Sequence, residues 1–506
     1  MATPYVAKSH TSFERALILT IVVFAGAVYA STQTIILVSL PQMQGDLSAS
    51  IDQISWVVTS NIVASAIGIP PTAWLSARFG RKRLFLFCIG LFTASCLLLS
   101  ISTTLEEVVL WRIMQGLSGA PLIAITQAIA LDIYPRERQG MAMAVWSVGL
   151  IVGPVAAPTV GGYLTEIGDW RLVFLAMVPL AMFSFFASLA YVPEWPAERG
   201  LRFDWFGFVA VTLGIGAAQL TIDQGQRLDW FDSTEIILLT VLAGFGLYIF
   251  ITHILTARNP FLDPGIFKDR NFSVGLVTMF LYSPLIYIPM VLMPNMLEDL
   301  RDFPALTIGL LLLPRGLGQI VGLSLAGRIV GKIDCRKLLV VSLILQAFTT
   351  WAMSQWDLGI GIWDIVWPNV LQGIAMGFIF MSIITITYST LAQERRTEAA
   401  ALFSLVRNFG TSVGISAAVT LFLRFFTESR ATLTENAAPF NELFLLPENL
   451  GFWDLQSLSS IAVLDSQIAR HAQMVGYAND FFVMSVWALA LIPLALLARN
   501  SIIDKR

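Results

Sequence analysis

Charge is what this chain has least of. Lys, Arg, Asp and Glu make up 13% of 506 residues, against 56% hydrophobic side chains. That is too little charge to keep a soluble protein of this length in water. A mean hydropathy of +0.73 belongs with multi-span membrane proteins. Cysteine is nearly missing: Cys88 and Cys96 share one apolar stretch and Cys335 lies in a basic turn, which excludes a disulfide framework and a thiolate metal set. His10, His253 and His471 are scattered, and no nucleophile–base pair gathers near either face. Neither an enzyme, nor a metal, nor a cofactor is expected. The net charge of −3 says little, because placement matters more than the sum; no nucleic-acid partner is expected.

What the chain has in abundance is long apolar runs. Those long enough to cross about 30 Å of hydrocarbon fall at 16–40, 52–74, 84–102, 106–131, 139–164, 171–191, 204–223, 233–256, 272–297, 305–329, 337–355, 363–390, 398–424 and 477–498. The count is fourteen, which puts both termini on one side. With the N-terminus inside, 22 Lys and Arg fall on the inner side and 6 on the outer, a bias that places both ends in the cytoplasm. The first run follows Lys8 and Arg15 and lacks a small-residue cleavage site, so it reads as a retained span. The sequence thus predicts an all-α polytopic membrane protein.

A repeat organises these spans. AWLSARFGRKRL (Ala73 to Leu84) and GRIVGKIDCRKL (Gly327 to Leu338) are matching basic turns 254 residues apart. Downstream, at an offset of 257, Gln115-Gly116 falls on Gln372-Gly373, Glu137-Arg138 on Glu394-Arg395 and Gly153 on Gly410. A duplicated helical unit around a central site is a transporter architecture. Residues 1–195 read as a first six-helix half and 261–506 as a second. A linker with two additional helices occupies 196–260, and the one long hydrophilic segment, 428–476, lies outside. A short amphipathic or partly ordered element is expected there.

Charges inside spans are costly, roughly 2.5–3.5 kcal/mol for a central Arg on insertion scales. Arg112 lies in the fourth span, with Gln115 nearly one turn on along the same face; the alternative is an arginine snorkelling to the outer interface near Glu106 and Glu107. Arg315 is midway along the tenth span, and Arg407, beside Asn408, midway along the thirteenth. Neither depth favours snorkelling, so both are expected to face the interior. In the fifth span Gly149, Gly153, Gly161 and Gly162 allow close approach of another helix, and Pro154 and Pro158 remove backbone donors. A gate between halves and plain helix packing both suit that pattern.

These motifs in order resemble the major facilitator superfamily: RFGRKR at Arg78, RIMQG at Arg112 and GLIVGPVAAPTVGG at Gly149. Together with QLTIDQGQRLDWFDSTEIILLTV, WRLVFLAMVPL and NPFLDPGIFKDRNF, they resemble the fourteen-span drug/proton antiporter branch, most of all the Emr-type inner-membrane pumps, over nearly the whole chain. The resemblance implies the major facilitator fold and proton-coupled export of hydrophobic or amphipathic drugs across the inner membrane by alternating access. It also implies protons, the lipid bilayer, a periplasmic adaptor and an outer-membrane duct as partners. It gives Gly80, Arg81, Lys82 and Arg83 the role of a cytoplasmic latch. The family's turn has Gly and Asp where this chain has Ala73 and Ala77, so Asp132 is a candidate substitute partner. The first-helix acid of the family is replaced by Thr32, which with Gln33 can bind substrate but carries no proton. Coupling then falls to Asp223 or Asp132. The expected cavity set is Thr32, Gln33, Arg112, Gln115, Arg315, Arg407 and Asn408. A narrower exporter of fatty acids, siderophores or a metabolite, and a non-transporting sensor or assembly partner, are the alternatives.

Overall fold

A computed structural model describes residues 11–135, 138–195, 197, 203–225, 227–257, 262–330, 333–391, 395–437 and 458–498. Among these there are sixteen α-helices and no β-strand, only an isolated Val330–Ile333 bridge. In chain order they are α1 Ser12–Asp46, α2 Ile51–Gly68, α3 Thr72–Phe79, α4 Arg81–Ser100, α5 Leu105–Ile133, α6 Gln139–Ile167, α7 Trp170–Tyr191, α8 Trp205–Gly225, α9 Thr234–Thr256, α10 Arg270–Arg301, α11 Ala305–Ile329, α12 Cys335–Met353, α13 Ile362–Tyr388, α14 Arg396–Asn436, α15 Leu458–Ala490 and α16 Ile492–Leu497.

Polar side chains set where helices begin. Thr11 with Glu14, Ser50 with Gln53 and Thr104 with Glu107 form capping boxes, and Asp169, Asp269 and Asp334 accept backbone N–H groups at the starts of α7, α10 and α12. Each satisfies donors that a helix start leaves unpaired.

Thirteen of these helices are long and apolar enough to cross a membrane. The exception is the expected span at 52–74. It is split into α2 and α3 because Pro70 and Pro71 interrupt it, and the apolar part of α2 is only Trp56–Gly68. Two successive prolines remove two donors and clash with the preceding turn. The thirteenth expected span does not stop at 424 but continues in α14 to Asn436, and the last starts far earlier, at Leu458. At 41 residues, α14 is about 60 Å long, twice the hydrocarbon thickness. Much of the expected outer loop is therefore a helical extension, tied by Arg430 Nη2 to Asp465 Oδ1 at 2.8 Å. The apolar patches Phe444–Pro447 and Phe452-Trp453 fall outside the described residues, as do Glu137 and Glu394 of the repeat.

Each half has its own hydrophobic core, one built from α1, α4, α5, α6 and α7 and the other from α10 to α15. Within each, equivalent helices pair: α1 with α6 and α10 with α14, α2 with α5 and α11 with α13. The halves meet along α6 and α11. The inserted pair α8–α9 packs through α8 against α2 and α14.

Candidate functional site

The first buried polar cluster sits where α1, α2 and α5 meet. Arg112 is fully buried (0% exposed). Its Nε donates to the Val57 carbonyl at 2.9 Å and its Nη1 to Gln115 Oε1 at 2.5 Å. Gln115 Nε2 reaches Cys96 Sγ at 3.2 Å, and Asn61 Nδ2 donates to the Arg112 carbonyl at 2.9 Å. These bonds exclude the snorkelling alternative, because the guanidinium is held inside the bundle. Tyr29 stands beside it, bonded to Ser65 Oγ at 2.9 Å and receiving Gln33 Nε2 at 2.8 Å. Sequence reasoning missed Tyr29, Asn61 and Ser65. Thr32 is buried, its hydroxyl donating to the Tyr29 carbonyl at 2.7 Å, which leaves only acceptor capacity on that oxygen.

The second half repeats this cluster with its residues exchanged. Tyr282 takes the place of Tyr29, Arg315 that of Asn61, Asn369 that of Arg112 and Gln372 that of Gln115. Packing fixes the correspondence: a methyl group at Gly116 would strike the Asn61 carbonyl, and one at Gly373 the Arg315 carbonyl. The charge has moved from the α5 position to the α11 position. Arg315 is 5% exposed, and its Nη2 donates to the Ile286 carbonyl at 2.5 Å and lies 3.3 Å from Met376 Sδ. Its Nε and Nη1, the Tyr282 hydroxyl and both amide atoms of Gln372 have no hydrogen-bond partner among the described residues. Buried donors without partners are uncommon, and each calls for a reason.

Arg407 is half-buried on α14, a helix that packs against α5 of the first half, and lies within electrostatic reach of Tyr29 there and of Tyr388. It is therefore placed between the halves, with Nε unpartnered among the described residues; Asn408 beside it is half-buried.

The fifth-span glycines sit on α6 but face α1 of their own half. Side chains at Gly149, Gly153 and Gly161 would meet Val23, Ser31 with the Ala27 carbonyl, and Ile35; Gly162 has ordinary clearance from Val38 at 3.6 Å. Contact between halves falls instead to other residues of α6: Val155 lies against Gly316 and Thr159 against Gly309. Pro158 has no N–H for the Pro154 carbonyl, and Thr34 Oγ1 supplies the donor at 3.1 Å. Beside this seam lies a cavity of about 730 Å³, largely apolar, between α1, α6, α7 and α11. Val28, Ser31, Gly153 and Met177 line it from the first half, Ser324 and Arg328 from the second.

Carboxylates occupy distinct settings. Asp223 on α8 accepts from Gln219 Nε2 at 3.1 Å and Ser412 Oγ at 3.4 Å, and Thr59 of α2 lies near it. It thus lies between α14 of one half and α2 of the other, with Oδ2 unpartnered among the described residues. Asp132 forms an ion pair with Arg81, and Arg81 lies 5.9 Å from the Trp195 ring centre. Gly80 has φ of 87°, a conformation that side chains disfavour. Lys82 is half-buried and Arg83 exposed. Asp364 caps α13 at its surface through the Gly361 N–H at 2.9 Å. Asp480, not singled out from sequence, is 2% exposed with both oxygens unpartnered among the described residues.

Comparison with known proteins agrees with this architecture. The sequence profile of the Major Facilitator Superfamily matches residues 22–415. The multidrug export protein EmrB of Escherichia coli K12 is 34% identical over 459 residues, 89% of either chain, and that of Haemophilus influenzae 36% identical over 458, again 89% of each. The fatty acid resistance protein FarB of Neisseria gonorrhoeae is 29% identical over 470 residues, 92% of each chain. Among solved structures, the human organic anion transporter MFSD10 superposes with a TM-score of 0.61 over 95% of this chain and 99% of its own at 12% identity, a likeness of fold alone.

Proposed function

This chain belongs to the major facilitator superfamily, and from that premise we propose that it is a proton-coupled exporter of hydrophobic and amphipathic drugs. The relatives named as multidrug export proteins support multidrug efflux. The observation that carries the reading is the apolar cavity of about 730 Å³ beside the seam. Its walls come from both halves, so a relative movement of the halves reshapes it, as alternating access requires.

Coupling is assigned to Asp223. Asp132 is engaged by Arg81, whereas Asp223 bridges α8, α14 and α2 with one oxygen free. A proton gained or lost there changes its hydrogen bond to Ser412 of α14 and its interaction with Thr59 of α2 at once. The basic turns face the cytoplasm of a bacterial cell, and the far end of the bundle faces the periplasm. The α14–α15 extension is then the surface offered to an adaptor leading to an outer-membrane duct. A narrower export of amphipathic acids is favoured by the resemblance to a fatty acid resistance protein.

The test is dye uptake into inverted vesicles with an imposed pH gradient. Wild-type protein is expected to accumulate several unrelated dyes, and Asp223→Asn to retain dye binding but lose about nine-tenths or more of gradient-driven uptake. Normal uptake by Asp223→Asn removes this residue from coupling; no uptake by wild type removes the export reading.

A further inference from the structure

We propose that Arg315 and Tyr282 form a binding site for the anionic head group of an amphipathic substrate, a carboxylate or sulfonate; the assignment rests on the export reading and names its substrate class. Three observations carry it. Arg315 is held in place by one edge only, Nη2 bonding the Ile286 carbonyl, while Nε and Nη1 remain without partners at 5% exposure. Tyr282, within its electrostatic reach, is fully buried with its hydroxyl also unpartnered. The fold alone does not impose this. At the equivalent place in the first half Asn61 replaces the arginine, and Tyr29, the mate of Tyr282, is bonded on both sides by Ser65 and Gln33.

The free donors select the ligand. A guanidinium presents N–H groups in a planar fork matched to the two oxygens of a carboxylate or sulfonate, and a tyrosine O–H adds a third donor. No carboxylate among the described residues pairs with Arg315, so the charge awaits an opposite one. A cation is repelled, and a neutral drug leaves the fork unfilled. Depth selects the source. Arg315 lies ten residues into the 25-residue α11, about 15 Å from its start and about 21 Å from its end, near the middle of about 30 Å of hydrocarbon. Lipid head groups stay at the interface, so the anion arrives on a free amphipath inside the bundle.

The test measures binding of decanoate, decanol and decyltrimethylammonium to the full-length protein in nanodiscs, against protein-free nanodiscs. Wild type is expected to prefer decanoate to either other probe by about tenfold or more. In Arg315→Gln the decanoate-to-decanol ratio of affinities should fall by about tenfold, in Tyr282→Phe by about threefold, and Arg315→Lys, which keeps the charge but loses the fork, should fall between wild type and Arg315→Gln. An unchanged ratio in Arg315→Gln overturns the site; if that variant does not fold, an unchanged ratio in Tyr282→Phe does so. Nanodiscs containing phosphatidylglycerol should leave decanoate binding as it was. Competition by that lipid, lost in Arg315→Lys or Tyr282→Phe, makes the site a lipid site and overturns the proposal. Dye uptake separates the two readings. Vesicles that export dyes while decanoate binding ignores Arg315 sink the site and keep export; vesicles that export nothing while the ratio still depends on Arg315 sink export and keep the site.

Discussion

In the first half a buried arginine on the α5 position is bonded to a carbonyl and an amide, and the nearby tyrosine has a partner on each side. In the second half the arginine has moved to the facing helix, α11, and most of its donors and those of its neighbours are free. The helices, the close glycine contacts and the two tyrosines are shared; the bonding is not. Duplication conserved the frame and released one copy of the cluster from holding it together. The difference is one of degree. Among the described residues Arg112 leaves only Nη2 unpartnered and Asn61 only Oδ1, whereas Arg315 leaves Nε and Nη1, with the Tyr282 hydroxyl and the Gln372 amide beside them. A more fully bonded buried network is the more rigid.

The largest expected effect separates the two arginines. Arg112→Ala leaves the Val57 carbonyl and Gln115 without their donors, and stability should drop by about 3 kcal/mol, with export lost. Arg315→Ala gives up one carbonyl bond and also removes an unpaired buried charge, so stability should change by less than about 1 kcal/mol while transport of anionic amphipaths fails. Melting in nanodiscs beside uptake in inverted vesicles checks both. Equal melting shifts for the two variants would break the comparison.

A middle-sized effect tests what the halves share. Gly153 on α6 and Gly410 on α14 are repeat mates, and each approaches the backbone of its neighbour, Ala27 on α1 or Phe280 on α10. Valine at either site should cost about 1–3 kcal/mol by overpacking, in similar measure, and reduce export to about a tenth. Val160→Ala, on an exposed face of α6, should be nearly silent. A tolerant Gly410→Val would mean that the second half is looser throughout, not only at its arginine.

Much of this was legible in the sequence because membrane helices are written in apolar length and basic turns. The spans and the repeat follow from hydropathy and offset; helical spacing put Arg112 and Gln115 on one face but left burial and snorkelling both open. Tyr29 and Tyr282 were not found, since an aromatic in an apolar run looks like core; extending the repeat into the first helix of each half would have aligned them. The exchange of Arg for Asn across a helix pair hides from any single motif, because each position viewed alone shows only half of it. The glycines of α6 announced a close approach but not its partner, as spacing fixes a face and not what lies opposite. Asp480 was passed over beside an apparent helix end, and only the early start of α15 shows that it is buried.

The smallest effect distinguishes the basic turns. Gly80 starts α4 with a positive φ, and its repeat mate, Asp334, starts α12 as a side-chain cap. Asp334 bonds Arg336 Nη2 at 2.7 Å and Nε at 3.0 Å, and these hydrogen bonds to Arg336 hold its carboxyl below the usual carboxylate range. A depressed folded-state value means that the contribution is complete above the ordinary aspartate pKa of about 3.9 and is lost as pH falls through the lower, folded-state value. Arg336 is partly exposed, with 30% of its side chain accessible, so screening keeps the change under about 1 kcal/mol. Asp334→Asn keeps a good cap and removes the titration. Wild type should therefore lose slightly more melting temperature than Asp334→Asn between pH 6 and pH 3, about 1–3 °C for a change of this size. Identical losses would show that the cap, and not the Arg336 pair, carries the second turn, leaving the two turns different in geometry but alike in their indifference to charge.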